Sequence, residues 1–98
     1  MRVVWSSNAS NSHFEILAFL LFTWNHEVAE NFNNLIIDAE NQLKQFPLSG
    51  RIHLYSIWKI VLHKNASLYY EFNENLQTIT ILLFIDNRAN PQEYSKLL

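Results

Sequence analysis

The hydrophobic period changes along this chain, and that change limits the fold more than any other feature. Between His26 and Phe46 apolar residues recur at helical spacing. Val28, Phe32, Leu35, Ile36, Ala39, Leu43 and Phe46 form one stripe, while Glu27, Glu30, Asn34, Asp38, Asn41 and Lys44 fall largely on the wet face. Asn25 is placed as the N-cap, Pro47 ends the helix, and Leu48-Ser49-Gly50 is a turn. Beyond that turn the pattern is that of strands: Ile57–His63 (IWKIVLH), Ser67–Phe72 (SLYYEF) and Leu76–Ile85 (LQTITILLFI). Lys64-Asn65 and Asn73-Glu74-Asn75 are the intervening turns. The third of these strands is long and almost wholly apolar, which places it inside the sheet rather than at an edge.

The first quarter supplies two further elements. Arg2–Trp5 reads as a short strand, interrupted by Ser6, Ser7 and Asn8. A helix beginning at Ser10 or Ser12 carries Phe14, Leu17, Ala18 and Leu21 at i, i+3, i+4 and i+7, with Ile16, Phe19, Leu20 and Phe22 covering much of its other side. A helix apolar nearly all round is covered on more than one side. In a small domain one of those covers can come from another chain, and Phe19, Leu20 and Phe22 are the candidate partner contacts. The two helices form an antiparallel hairpin, since only about three residues join them. The expected fold is α+β in the order strand–helix–helix–strand–strand–strand: an antiparallel meander sheet with the N-terminal helix hairpin packed on one face.

Composition narrows the remaining choices. Ninety-eight residues make one domain, 1–98, with a core of its own. Hydrophobic residues at 49% against 16% charged exclude intrinsic disorder. One glycine and two prolines are too few for a sandwich or barrel, which needs a turn at every dozen residues. The absence of cysteine excludes disulfides, zinc–thiolate sites and thiol nucleophiles. His13, His26, His53 and His63 show no metal-ligand spacing. The longest apolar run, Ile16–Phe22, is seven residues, well short of the ~20 that span a bilayer. No signal-peptide pattern surrounds it, so the expectation is a soluble, cytoplasmic protein without a membrane partner. Residues 1–50 carry two basic and five acidic side chains, and residues 51–98 carry five and four. The sheet half is thus weakly positive inside a chain of net charge −2, too weak for tight phosphate binding by charge alone.

Strand and tail together resemble a known family. Trp58-Lys59-Ile60-Val61-Leu62-His63-Lys64-Asn65, then Ser67-Leu68-Tyr69-Tyr70-Glu71-Phe72, then Ile79–Ile85 and Asp86-Asn87-Arg88-Ala89-Asn90-Pro91 resemble the RelE/ParE toxin superfamily of bacterial type II toxin–antitoxin systems. The D-x-R-x-x-P tail is closer to the ParE-like, plasmid-stabilisation branch. That resemblance implies a toxin neutralised by a cognate antitoxin, in either a homodimer or a toxin–antitoxin hetero-oligomer, with no cofactor. Its target divides by branch: DNA gyrase for ParE-like members, the ribosome with its mRNA for RelE-like nucleases.

RNA cleavage by 2′-hydroxyl attack needs proton transfer at both oxygens and cations around a phosphate that gains charge. By resemblance, Lys59 stands at one sheet lysine of RelE-like toxins, Arg88 at the tail arginine and Tyr94 at the tail tyrosine. A second sheet lysine falls on Val61, and a strand arginine falls on Ser67. Each such cation is worth roughly 10²–10³ in rate, so two missing from four removes most of the charge stabilisation. Lys64 and His63 are the nearby replacements. The expected reading is therefore a toxin that acts by binding a large target, DNA gyrase, rather than as an enzyme; the alternatives are a ribosome-dependent mRNA interferase (an endoribonuclease) using Lys59, Lys64, Arg88 and Tyr94, or a degenerate, non-toxic member.

Overall fold

The computed structural model describes residues 1–89. Pro91 and Tyr94 lie outside the described residues. Among those described, the elements are β1 (Arg2–Trp5), α1 (Ser7–Thr23), α2 (His26–Gln45), β2 (Arg51–Leu54), β3 (Ile57–His63), β4 (Ala66–Asn73) and β5 (Thr78–Asp86). The strands form one sheet in the order β1-β5-β4-β3-β2. The run from β2 to β5 is an antiparallel meander, whereas β1 lies parallel to β5 with Arg2 opposite Thr78 and Trp5 opposite Ile81. The sheet is therefore mixed and five-stranded, not the four-stranded antiparallel meander expected. A parallel neighbour requires a crossover connection, and the helix hairpin between β1 and β2 belongs to that crossover.

The added strand, β2, has all four residues exposed, so burial leaves no mark on its sequence. It exists because Arg51 and Ile52 pair with Lys59 and Trp58 along the β3 edge. Gly50 lets the chain reach that edge. A Cβ there would sit 2.7 Å from the Lys59 carbonyl oxygen and 2.8 Å from the Tyr70 hydroxyl oxygen, a space no side chain can occupy. The Gly50 N–H donates to that same hydroxyl at 3.1 Å.

α2 matches the expected boundaries. The Asn25 side chain accepts from Val28 N, and the helix ends where Phe46 and Pro47 follow. Its buried face is Ala29, Phe32, Ile36, Ala39 and Leu43, with Val28 and Leu35 half-buried at the margins. Phe46, expected in the stripe, is 62% exposed because it already lies past the helix end.

α1 differs more. It starts at Ser7, because the Ser6 hydroxyl caps it by accepting from Ala9 N at 3.1 Å. Its buried face is Ala9, Ser12, Ile16 and Leu20; the stripe Phe14–Leu17–Ala18–Leu21 faces largely away from the core. Both sets satisfy helical spacing, so spacing alone does not choose between them. Hydrogen bonding does. Ser6 donates its backbone N–H to Ile81 O and its hydroxyl to Leu82 O, where Leu82 is the extra residue of a bulge in β5. Six residues on, the Ser12 hydroxyl accepts from Phe84 N at 3.0 Å. The two serines continue the work of β1 along β5 after β1 has ended, and they fix the rotation of α1. Ser12→Ala leaves the buried Phe84 N–H without a partner and should cost about 1–3 kcal/mol, read as a lower urea midpoint with unchanged slope.

The core lies between this hairpin and the sheet. Phe84 packs its ring against Trp5 at 4.8 Å between centroids and against Phe32 at 6.4 Å. β5, between β1 and β4, buries both of its faces. Leu20 is wholly buried in this core, which removes it from the candidate partner contacts; Phe19 is half-buried against the same cluster, and Phe22 is 92% exposed. No described helix is long and apolar enough to cross a membrane.

Candidate functional site

The chemistry-bearing side chains gather at one rim of the sheet, where β3 turns into β4 and β5 ends. A bulge at Leu62 separates the pairs Val61–Ser67 and His63–Ala66, and it re-aims His63 toward that rim. From the neighbouring strand, the Asn87 N–H donates to Asn65 O at 2.7 Å and ties the end of β5 to the β3–β4 turn. Asp86, the last residue of β5, has no exposed side-chain surface. Its carboxylate accepts from Arg88 three times: from the backbone N–H and from Nε at Oδ1, each 2.9 Å, and from Nη2 at Oδ2, 2.6 Å. This fork is the strong form of a charge-assisted pair. It raises the already high pKa of the Arg88 guanidinium, chiefly through the hydrogen bond to Asp86.

His63 lies on the other side of the same guanidinium. Its Nδ1 accepts the Asn65 N–H at 3.0 Å, and its Nε2 is 3.0 Å from Arg88 Nη2. Both ring nitrogens thus face donors. A neutral imidazole satisfies one of these contacts, and an imidazolium satisfies neither. Burial first, then the Arg88 charge, lowers the His63 pKa below its ordinary 6.5; Asp86 pulls the other way and Lys64 adds to the lowering. The site therefore holds an uncharged proton acceptor beside a locked cation.

Two hollows meet at this rim. One, of about 310 Å³, runs along the sheet face that carries Lys59, Val61, Ser67 and Tyr69, and Lys64 and His63 also line it. Lys59 is half-buried with its Nζ 5.8 Å from the Tyr69 ring centroid, and His53 packs edge-on to the same ring at 4.7 Å. The other, of about 420 Å³, lies beside α2, where Arg88 and His63 meet Asn31, Asn34 and the apolar side chains of Val28 and Leu35.

Of the sequence candidates, Lys59 and Lys64 share the first hollow, Arg88 lines the second, and His63 lines both. Tyr94 lies outside the described residues. The residue that sequence reasoning undervalued is His63, because its position depends on the bulge at Leu62, which no local pattern announces. The D-x-R spacing was visible in the sequence, and the structure closes it into the Asp86–Arg88 pair. Among the described residues no three His, Asp or Glu side chains gather as a metal set.

The lowered His63 pKa carries a sign. The unfolded chain takes up this proton near pH 6.5 and the folded chain resists it, so stability falls as pH drops through about 6.5 toward the folded value. Urea midpoints should therefore decline between pH 7.5 and pH 5.5, with a smaller decline in His63→Gln. Equal declines in both proteins would mean that His63 does not carry this dependence.

No family model matches the sequence, and no curated relative does. Among solved structures the chain is similar to "Chromosomal ParDE TA system from P. aeruginosa", with a TM-score of 0.71 at 17% identity over 88% of this chain and 95% of that one. It is also similar to "YoeB/ParE toxin from Agrobacterium tumefaciens", with a TM-score of 0.57 at 14% identity over 88% of this chain and 98% of that one. The chain shares the fold of these ParDE and YoeB/ParE toxin structures.

Proposed function

We propose that a chain of this fold acts as the toxin of a type II toxin–antitoxin module in the cytoplasm, docking onto DNA gyrase and held inactive by a cognate antitoxin. The similarity to ParDE and YoeB/ParE structures supports the toxin role and the antitoxin partner. The observation that favours docking over chemistry is the cation count on the open sheet face. Val61 and Ser67 line the hollow where a RelE-type set would need a lysine and an arginine. Arg88, the third cation of that set, is spent on the buried Asp86 carboxylate. Among the described residues, a phosphate gaining charge there would meet Lys59 and Lys64, and positioned cations supply most of the rate in metal-free phosphoryl chemistry. Occlusion or trapping of a large target asks for none of this.

The second reading, a ribosome-dependent mRNA interferase, is favoured by one observation: Lys59, Lys64 and the neutral His63 line a single hollow. A supercoiling assay with purified gyrase tests the first. The expected result is dose-dependent loss of supercoiling, reversed by the antitoxin and unchanged in Lys59→Ala. Undiminished supercoiling at saturating chain removes gyrase as the target.

A further inference from the structure

The β2–β3 hairpin holds two features that cost folding free energy without a compensating contact inside the chain. Leu54 pairs with Ile57, so Tyr55 and Ser56 are the whole turn. Tyr55 sits at φ 51°, a left-handed backbone where the first residue of a two-residue turn is usually glycine, asparagine or aspartate. A bulky side chain is strained there. The Tyr55 ring is 88% exposed, so packing does not offset the strain. Gln77, the other described non-glycine residue with positive φ, shows the contrast: its amide donates to Glu74 O at 2.7 Å and braces its own turn. At the base of the arm Arg51 stands opposite Lys59, and like charges so placed destabilise a sheet. Among the described residues the ion pair present is Asp86–Arg88, and no carboxylate pairs with Arg51 or Lys59. Lys59 is half-buried with its Nζ toward the Tyr69 ring, which leaves Arg51 as the exposed member.

We propose that this arm is the part of the chain that reads its target, with Tyr55 entering an apolar pocket of a folded protein. Arg51 meets a carboxylate on the rim of that pocket, roughly 13 Å from the ring at ~3.3 Å per strand residue. The proposal rests on the docking reading above and names the contact that does the docking. The shape of the arm selects a folded partner. All four residues of β2 and both turn residues are exposed, and β3 is the element that β2 packs on. The arm is convex, so it offers no groove in which an extended or helical segment could lie. Strand addition along its outer edge is opposed by the irregularity at His53, which breaks the β2 register. The partner must therefore supply the concavity. Charge selects the rim: the acidic side chains near the arm, Glu71 and Glu74, share a hollow with Ser56 and border the turn, while the base keeps the Arg51 charge. Between tip and base, Ile52 is 66% exposed and Leu54 is exposed too, which continues the apolar contact. Tyrosine suits the tip because it brings a large apolar area and a polar end with few rotamers.

Variants that separate stability from potency test the arm. Tyr55→Gly relieves the turn and removes the ring, whereas Arg51→Glu turns the like-charge pair into a cross-strand ion pair with Lys59. Each should hold its urea midpoint at or above wild type. Each should nevertheless need at least about tenfold more chain to inhibit purified gyrase, the loss expected of an interface anchor. Each should also lose growth arrest when induced in bacteria. Tyr55→Phe should match wild type, and so should Gln77→Gly at the other turn. A purely structural role would move stability and potency in the same direction. Tyr55→Gly with wild-type potency, or with a lowered midpoint, overturns the proposal, and Arg51→Glu with wild-type potency overturns the carboxylate contact. A Tyr55→Gly chain that still arrests growth but escapes a co-expressed antitoxin also overturns it, because the arm then serves neutralisation. A wild-type chain that arrests growth without inhibiting gyrase removes gyrase as the target, and growth arrest by the same variants then decides the arm. A wild-type chain that does neither overturns both readings.

Discussion

Arg88→Ala is expected to cost about 3–5 kcal/mol of folding stability, because it removes the cation from a carboxylate with no exposed surface. Among the described residues, Asp86 in the variant keeps the backbone N–H of residue 88 as its donor, and an uncompensated buried charge is among the most destabilising single defects. A domain of this size has roughly 5–15 kcal/mol to lose. Urea denaturation should show the loss directly. The double variant Asp86→Leu with Arg88→Met should regain most of it, since replacing both partners of a buried pair by apolar side chains is often neutral. An Arg88→Ala midpoint equal to wild type would mean that the fork does not hold the end of β5, and Arg88 would then be free for chemistry. The same variant is for that reason a poor probe of catalysis, whereas Lys59→Ala leaves the fold alone.

Phe84→Ala should cost a comparable ~3–5 kcal/mol. The ring is fully buried and is surrounded by the rings of Trp5 and Phe32, with His13 at 5.9 Å. Its removal leaves a cavity where β1, both helices and β5 meet, so the loss spreads over every layer of the core. Phe84→Leu keeps most of the volume and should cost less than about 1.5 kcal/mol. A thermal or urea midpoint for Phe84→Ala no lower than that of Phe84→Leu would contradict this account of the core.

α2 and β5 were readable in the sequence because local signals agreed there: the Asn25 cap, the stop at Pro47 and the apolar run at Ile79–Ile85. α1 was readable as a helix but not as to its facing. Its apolar residues go all the way round, and long-range hydrogen bonds from Ser6 and Ser12 to β5 decide which stripe is buried. The same reason removed Leu20 from the candidate partner contacts and left Phe22 outside. β2 was missed because an exposed four-residue edge strand carries no hydrophobic pattern; its cause is the open edge of β3. The parallel pairing of β1 with β5 joins residues more than seventy positions apart, which no local period encodes. At the site, the D-x-R spacing was visible, while the position of His63 needed the bulge at Leu62.

The central functional claim is that this chain disables its target by docking, without cutting RNA. Primer extension on translated mRNA, taken from bacterial cells after brief induction of the chain, tests it most directly. Arrested growth with full-length extension products is the expected result, in wild type and in Lys59→Ala alike. New stops within codons that appear with the wild-type chain and vanish with Lys59→Ala would contradict it and make the sheet-face hollow a ribonuclease site.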